Sequence, residues 1–115
     1  MPHIDAYSFG RMVIDGQTYT KDLIIFPGSR GFSPWWRISG HRLAAADLTD
    51  LLAANPGTII AGTGASGLMR PEPDLVRLLE QKGIEFMAMP TADAVEEYNR
   101  RADAGTAAAC FHLTC

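Results

Sequence analysis

Short apolar runs alternate with amphipathic stretches along the second half of the chain, and this alternation constrains the fold more than any other feature. Strands are predicted at residues 58–61, 84–89 and 107–111, with helices between them from 73 to 82 and from 91 onward. Strands that are joined by helices through short links run parallel, with right-handed crossovers. The three runs are apolar nearly throughout, which is typical of strands covered on both faces. The sequence therefore predicts an α/β fold.

The first half of the chain predicts strands and turns. Asp15-Gly16 lies between residues 12–14 and 17–19 and predicts a tight hairpin, because this dipeptide tolerates positive φ angles. Three further elements are predicted here: a buried strand at 23–26, a short strand at 35–38 and an amphipathic helix at 44–53. No linker separates the two halves, so we predict one domain spanning residues 1–115.

The composition excludes several classes of function. Of the 115 residues, 47% are hydrophobic and 20% are charged, which favours a packed core over disorder. The net charge is −3 and no block of Lys or Arg could track a phosphate backbone, so we expect no nucleic-acid partner. No apolar run approaches the ~20 residues that span a bilayer, so we expect no transmembrane segment. The N-terminus lacks the features of a signal peptide, and the expected location is the cytoplasm.

The sequence carries no recognised catalytic or metal-binding motif. Cys110 and Cys115 have a spacing unlike that of zinc ligands, and two further ligands would be needed. No HExxH, GxSxG or P-loop pattern occurs in the chain. We therefore assign no metal, no cofactor and no catalytic residue.

The most conspicuous local pattern is a glycine-rich loop, Gly62-Thr63-Gly64-Ala65-Ser66-Gly67, after the strand at 58–61. It matches the GxGxxG pattern of dinucleotide-binding proteins. Residues 68–72 nevertheless separate the loop from its helix, and the next strand has no acid at its end to hold a ribose. Two interpretations remain open: a plain tight turn, or a small-anion or small-molecule site built on backbone amides. The candidate ligand-binding residues here are Gly62, Thr63 and Gly64.

A second unusual cluster begins at Trp35 and Trp36. Adjacent residues on a strand point to opposite faces, so one indole can enter the core while the other packs on a second layer, a ligand or a partner. Both are therefore candidate partner contacts. Arg37 can pair with a carboxylate or a phosphate and is a candidate ligand-binding residue. The alternative for the cluster is core packing with surface charge.

Two histidines are further candidate ligand-binding residues. His41 could act as a general base, but no acid or nucleophile lies near it in sequence, and a capping or hydrogen-bonding role is the alternative. His112 ends the last predicted strand and would approach the edge that carries the glycine loop if the strands are parallel. Cys110 shares a strand face with His112, so a pairing between them needs no catalytic explanation.

Glu85 lies within an apolar predicted strand. Unpaired burial of a carboxylate is costly, so we expect Glu85 to face solvent at the strand start or to meet a cation. Lys21, Arg37 and Arg70 are the partners considered.

With these segments in place, the chain resembles the Mth-type domain family, which includes the adipogenesis-associated Mth-domain protein and the mitochondrial complex I assembly factor three. The stretches that carry the resemblance span nearly the whole chain: Phe9-Gly10-Arg11, Tyr19-Thr20-Lys21-Asp22, Trp35-Trp36-Arg37, Gly40-His41, Gly62-Thr63-Gly64, Gly83-Ile84-Glu85, Ala94-Val95-Glu96-Glu97-Tyr98-Asn99 and His112-Leu113-Thr114-Cys115. The resemblance implies a three-layer α/β domain with a mixed central sheet, a βαβαβ C-terminal half and an N-terminal β-hairpin layer.

The resemblance also implies how the domain works. The family has no established enzymatic reaction, and its mitochondrial branch assists assembly of the respiratory NADH dehydrogenase through protein contacts. The first functional hypothesis is a non-enzymatic accessory or interaction domain that binds a protein partner or a second copy of itself and helps a membrane complex to assemble. The alternative is a small-molecule or anion-binding domain, or an enzyme, that uses the loop at residues 62–67.

Overall fold

A computed structural model describes residues 2–28, 30–101 and 105–115 of the chain. The strands in chain order are β1 (Ile4–Ser8), β2 (Arg11–Ile14), β3 (Gln17–Tyr19), β4 (Leu23–Ile25), β5 (Phe32–Pro34), β6 (Arg42–Leu43), β7 (Thr58–Thr63), β8 (Arg70–Pro71), β9 (Glu85–Met89) and β10 (Ala107–His112). The helices are α1 (Thr49–Ala53), α2 (Pro73–Gln81) and α3 (Thr91–Arg101), and a 3-10 turn at Ala45–Leu48 precedes α1.

The central sheet has five strands in the order β5-β4-β10-β7-β9. Its half formed by β10, β7 and β9 is parallel, as the strand–helix alternation predicts. The strands β4 and β5 extend the sheet in antiparallel orientation, which makes it mixed. The predicted α/β fold with a mixed central sheet is confirmed.

Three layers form because each face of the central sheet buries its own apolar cluster. Along β10, Ala109 and Phe111 pack towards the β1–β3 sheet and α3. Ala108 and Cys110 point the other way, towards α2 and the segment around α1. The alternation of side chains along a strand thus places consecutive residues of one strand in two separate cores.

The N-terminal layer is an antiparallel sheet in the order β1-β2-β3. Its hairpin turn is Asp15-Gly16, with φ angles of 49° and 83°, and this confirms the turn predicted from the dipeptide. The start of α2 is also confirmed, since Pro73 occupies the first turn of the helix, where its missing N–H costs no hydrogen bond.

Two predicted elements differ from the structure. Residues 35–38 are not a strand, because the neighbouring strand β4 begins only at Leu23 and its ladder with β5 ends at the pair Leu23 and Pro34. Beyond that pair, a single bond from the Trp35 amide to the Asp22 carbonyl (2.9 Å) continues the pattern. The helix predicted at 44–53 is divided into the 3-10 turn and the short α1.

Glu85 is the first residue of β9 and is exposed, which agrees with the expectation that it faces solvent at the start of the strand. It accepts a hydrogen bond from the Thr58 hydroxyl (3.2 Å) and pairs with Arg101 (2.7 Å). The cation is therefore Arg101, and the suggested partners Lys21, Arg37 and Arg70 were wrong.

Among the described residues, no helix is both long and apolar enough to cross a membrane.

Candidate functional site

The glycine loop and the end of β10 lie side by side at the carboxyl edge of the parallel strands. In the β7–β10 ladder, Gly62 is opposite Phe111 and Thr63 is opposite His112. His112 therefore approaches the glycine loop, as expected for parallel strands. Parallel α/β sheets commonly bind ligands at this edge. The question is which groups at this edge remain available to a ligand.

The backbone amides of the glycine loop mostly bind the protein's own chain. The Gly64 amide donates to the Thr91 hydroxyl (2.8 Å), and the Gly67 amide donates to the Gly64 carbonyl (3.2 Å). The Ala65 and Leu68 amides donate to carbonyl oxygens of the last two residues, at 2.6 and 3.1 Å. An amide that already donates within the chain cannot also cradle an anion without breaking that bond. In this conformation the loop holds residues 114–115 in place.

Packing explains two of the loop's glycines. A Cβ at Gly62 would lie 2.8 Å from Phe111 and 2.9 Å from the Thr91 hydroxyl. A Cβ at Gly64, whose φ is +105°, would lie 2.5 Å from the Cys115 carbonyl carbon. Side-chain-free positions are therefore needed for the approach of α3 and of the end of the chain, whether or not a ligand binds.

His112 belongs to a partly buried polar cluster with Asp22 and Arg37. The Asp22 carboxylate accepts from Arg37 Nη1 (2.7 Å), from the Leu113 amide (2.8 Å) and from His112 Nδ1 (2.8 Å). Arg37 also donates to the Gly40 carbonyl (2.9 Å), and its side chain is only 5% exposed. We call Asp22, Arg37 and His112 the polar cluster.

The charges of the polar cluster support one another. Burial opposes the charged form of Asp22, but the Leu113 amide, Arg37 and His112 together outweigh it and hold the pKa of the Asp22 carboxyl below its usual range. Arg37 Nη2 also lies 3.0 Å from His112 Nδ1. We assign a proton to Nδ1, because this nitrogen then donates to the charged Asp22, while Arg37 Nη2 has the Gly40 carbonyl as its acceptor.

The other ring nitrogen of His112, Nε2, is buried and has no hydrogen-bond partner among the described residues. The adjacent ring carbon faces Gly64, where an added Cβ would lie 2.9 Å from it. A general base needs its free nitrogen within reach of a substrate, and here that nitrogen is covered. The contacts of the polar cluster clamp Arg37 to the residue before β4 and to the end of β10.

What the polar cluster clamps is the segment Trp35–Ile38, which we call the tryptophan loop. The Trp35 indole is buried and donates to the Asp47 carbonyl (2.9 Å), while the Arg37 guanidinium stacks over its ring at 4.8 Å. The Ile38 amide donates to the Asp47 carboxylate (3.1 Å). The loop has no regular secondary structure, yet several hydrogen bonds and a stacking contact fix its backbone.

The side chains of the tryptophan loop alternate between the core and solvent. Trp35 and Arg37 point inward, whereas Trp36 is 75% exposed and Ile38 is 85% exposed. One indole thus enters the core and the other does not, as two adjacent tryptophans on an extended segment require. Of the two candidate partner contacts, Trp36 is the one that a partner can reach.

Thr63 and His41 are the other ligand-binding candidates that carry side chains, and Thr63 lies opposite His112 in the β7–β10 ladder. Thr63 is buried, and its carbonyl accepts from the Met69 amide (3.0 Å). His41 is exposed, and its Nε2 lies 3.9 Å from Cys115 Sγ. Cys110 is buried, and burial raises the pKa of its thiol to about 12, which disfavours a reactive thiolate. No cluster of three or more metal-ligating side chains occurs within residues 2–28, 30–101 and 105–115.

Asp22 is the residue of the polar cluster that sequence reasoning missed. It is separated by 90 residues from His112 and by 15 from Arg37. The available signal was its position, since it is an acid directly before the fully buried β4. A carboxylate in that position must either face solvent or find a donor.

The fold and the clamped loop define a three-layer α/β domain that presents an ordered aromatic loop at its surface. Residues 4–113 match the family described as "Protein of unknown function (DUF498/DUF598)", and the chain belongs to this family. The match covers nearly all of the sequence and confirms the resemblance to Mth-type domains.

Solved structures support the same fold. A conserved hypothetical protein from Pyrococcus horikoshii superposes with a TM-score of 0.86 at 25% identity, covering 97% of this chain and 98% of that one. A protein described as an outer membrane protein from Bartonella henselae gives a TM-score of 0.82 at 24% identity, covering 99% and 96%. A Mth938-like domain from Bordetella pertussis gives 0.67 at 18% identity, covering 97% and 85%.

Proposed function

We propose that the chain is a non-enzymatic interaction domain that binds a protein partner through the tryptophan loop. The observation that carries this proposal is the exposure of Trp36 and Ile38 on a backbone that is otherwise held to the core. Tryptophan is enriched among the residues that dominate binding energy at protein interfaces. A partner that covered Trp36 would remove a large apolar surface from water.

The order of the loop supports the proposal as much as its exposure does. Arg37 is fixed by Asp22 and Gly40, and Ile38 is fixed by Asp47. A loop that is already ordered loses little conformational freedom when a partner binds, so more of the contact energy appears as affinity. The polar cluster thereby gains a role that requires no chemistry of its own.

The finer form of this proposal concerns the partner. The resemblance to the family, whose mitochondrial branch assists assembly of a respiratory complex, supports a subunit of a membrane complex that is bound during assembly in or next to the cytoplasm. A second copy of this chain is the other candidate, because one exposed indole on each copy could contact the same surface on its partner.

The alternative of a ligand site at Gly62–Gly67 receives less support from the geometry. Three amides of that segment and the amide of the next residue, Leu68, donate hydrogen bonds within the chain. Two glycines of the segment are also needed for packing. A ligand there would have to displace residues 114–115. We therefore place the interaction function first.

Site-specific photo-crosslinking tests the proposal in the cells that express the protein. The photoreactive residue p-benzoylphenylalanine replaces Trp36 in one variant and Phe9 in a control, since Phe9 is also an exposed aromatic residue, at 65%. We expect one discrete adduct from position 36 and none of the same mass from position 9. The captured protein is then purified and titrated against the wild-type chain.

Two results would contradict the proposal. Position 36 could give no adduct, or both positions could give the same set of adducts, which would indicate contact without specificity. An adduct of twice the chain mass, together with a dimer by light scattering, would identify the partner as a second copy.

A further inference from the structure

A groove of about 310 Å³ opens beside the exposed indole of the tryptophan loop. Pro34, Trp35 and Trp36 line one part of the groove. The 3-10 turn and the start of α1, including Asp47 and Asp50, line the other part. The groove therefore combines aromatic surface with carboxylates at the place where we propose that a partner binds.

The charged residues that line the groove, Asp47 and Asp50, are both acidic. Asp47 accepts backbone amides with both carboxylate oxygens, from Ile38 at 3.1 Å and from Ala44 at 2.8 Å. Asp50 is exposed, and within the described residues it has no ion pair. No Lys, Arg or His is among the described residues that line the groove. An anionic ligand would be repelled here, whereas a cation would be attracted.

The aromatic part of the groove favours the same kind of ligand. The face of an indole attracts a cation that lies within about 6 Å of the ring centre. The chain already shows this contact, since the Arg37 guanidinium stacks over the Trp35 ring at 4.8 Å. Trp36 is the exposed counterpart without such a contact among the described residues. One guanidinium in the groove could stack on Trp36 and approach the Asp50 carboxylate at the same time.

We propose that this groove binds an arginine side chain presented by the partner protein. The proposal rests on the proposed function and names the chemistry of the segment that the partner contributes. Arginine suits the groove better than lysine, because its planar guanidinium stacks on aromatic rings and is weakly hydrated. The net charge of −3 on the whole chain would also favour the approach of a basic segment.

The test is an NMR titration of the uniformly ¹⁵N-labelled chain with the peptide acetyl-Gly-Arg-Gly-Arg-Gly-amide. The signals followed are the indole N–H of Trp36 and the backbone amides of Thr49 and Asp50. The matched peptide carries citrulline in place of arginine and thus keeps the shape of the side chain without its charge. We expect saturable shifts confined to the groove with the arginine peptide and none with the citrulline peptide.

Three variants connect the binding to the named residues. Trp36→Ala and Asp50→Asn are each expected to weaken binding about fivefold. Asp93→Asn is the control, since Asp93 is an exposed acid in the first turn of α3 and does not line the groove. It removes the same charge from the chain and should change the affinity less than twofold.

Several outcomes would overturn the inference. The citrulline peptide could bind as well, the Asp93→Asn control could weaken binding as much as Asp50→Asn, or no saturable shift could appear at millimolar peptide. The photo-crosslinked partner separates this inference from the proposed function. If its affinity depends on Trp36 and not on Asp50, the arginine site is refuted and the interaction function stands. If the peptide binds in the groove but position 36 captures no partner, the interaction function is refuted, and with it the partner as the source of the arginine, whereas binding of arginine in the groove is established.

Discussion

The glycine loop and the tryptophan loop are both conspicuous in the sequence, but the structure uses them in opposite ways. The glycine loop is used for contacts within the chain: its amides donate to Thr91 and to residues 114–115. Two of its glycines leave room for neighbouring atoms that a Cβ would displace. The tryptophan loop turns outward, since its inner residues are fixed so that Trp36 and Ile38 face solvent. A glycine-rich pattern can therefore reflect packing alone, whereas an exposed indole on a fixed backbone is not explained by packing.

The largest effect is expected where the glycine loop is packed most tightly. Gly64→Ala should lower the free energy of unfolding by about 3 kcal/mol or more, because the new Cβ would meet the Cys115 backbone at 2.5 Å and φ is +105°. Gly16→Ala is the control, since φ there is +83° but nothing lies within 4 Å, and about 1 kcal/mol is expected. Urea unfolding measures both. Equal losses would mean that the glycine loop is not held by packing.

The clamp under the tryptophan loop should give the next largest effect. Arg37→Met keeps the aliphatic bulk but leaves the mostly buried Asp22 without its cation, so we expect a loss of about 2 kcal/mol. Amide hydrogen exchange in residues 35–38 should also accelerate. Arg42→Met serves for comparison, because its ion pair with Glu72 is long (3.8 Å) and exposed, and should change stability by about 0.5 kcal/mol at most. If both variants behaved alike, Arg37 would not be a clamp.

The polar cluster should also make stability depend on pH. The pKa of Asp22 is lower in the folded chain than in the unfolded one, so the folded state is favoured above the unfolded pKa of about 4. That contribution is lost as the pH falls through the folded pKa. The stability difference between the wild type and Asp22→Asn should therefore shrink as the pH is lowered from 6 to below 4. Unfolding curves across that range measure it, and a constant difference would exclude Asp22 as the source.

The smallest effect on stability is expected at the residue that matters most for the proposed function. Trp36→Ala removes an indole that is 75% exposed, so the free energy of unfolding should change by about 0.5 kcal/mol at most. Thermal or urea unfolding checks this value. A loss several times larger would mean that Trp36 supports the fold instead of a partner.

Local patterns were sufficient for the parallel half of the fold. The apolar runs at β7, β9 and β10 and the turn at Asp15-Gly16 depend on neighbours in sequence, and the structure has all of them. The bounds differ most at β7, which extends to Thr63, two residues into the predicted glycine loop. The strand predicted at 35–38 was wrong because its existence depends on where the partner strand β4 begins. Alternation still predicted that the two indoles point to opposite faces, and the structure shows which one is buried, Trp35.

The candidate site was less predictable because its contacts join distant residues. His112 and Arg37 were named individually, but the acid that joins them, Asp22, belongs to another part of the chain. The acceptors that occupy the glycine loop are likewise contributed by residues 114 and 115. No pattern in a single sequence reports such pairings.

A calorimetric comparison shows whether the chain binds its partner through Trp36. The protein captured from position 36 is titrated with the wild-type chain and with Trp36→Ala, after unfolding curves have shown that both are equally stable. We expect the dissociation constant to rise at least tenfold for Trp36→Ala, as it does when a central interface tryptophan is removed. An unchanged dissociation constant for an equally folded variant would contradict it.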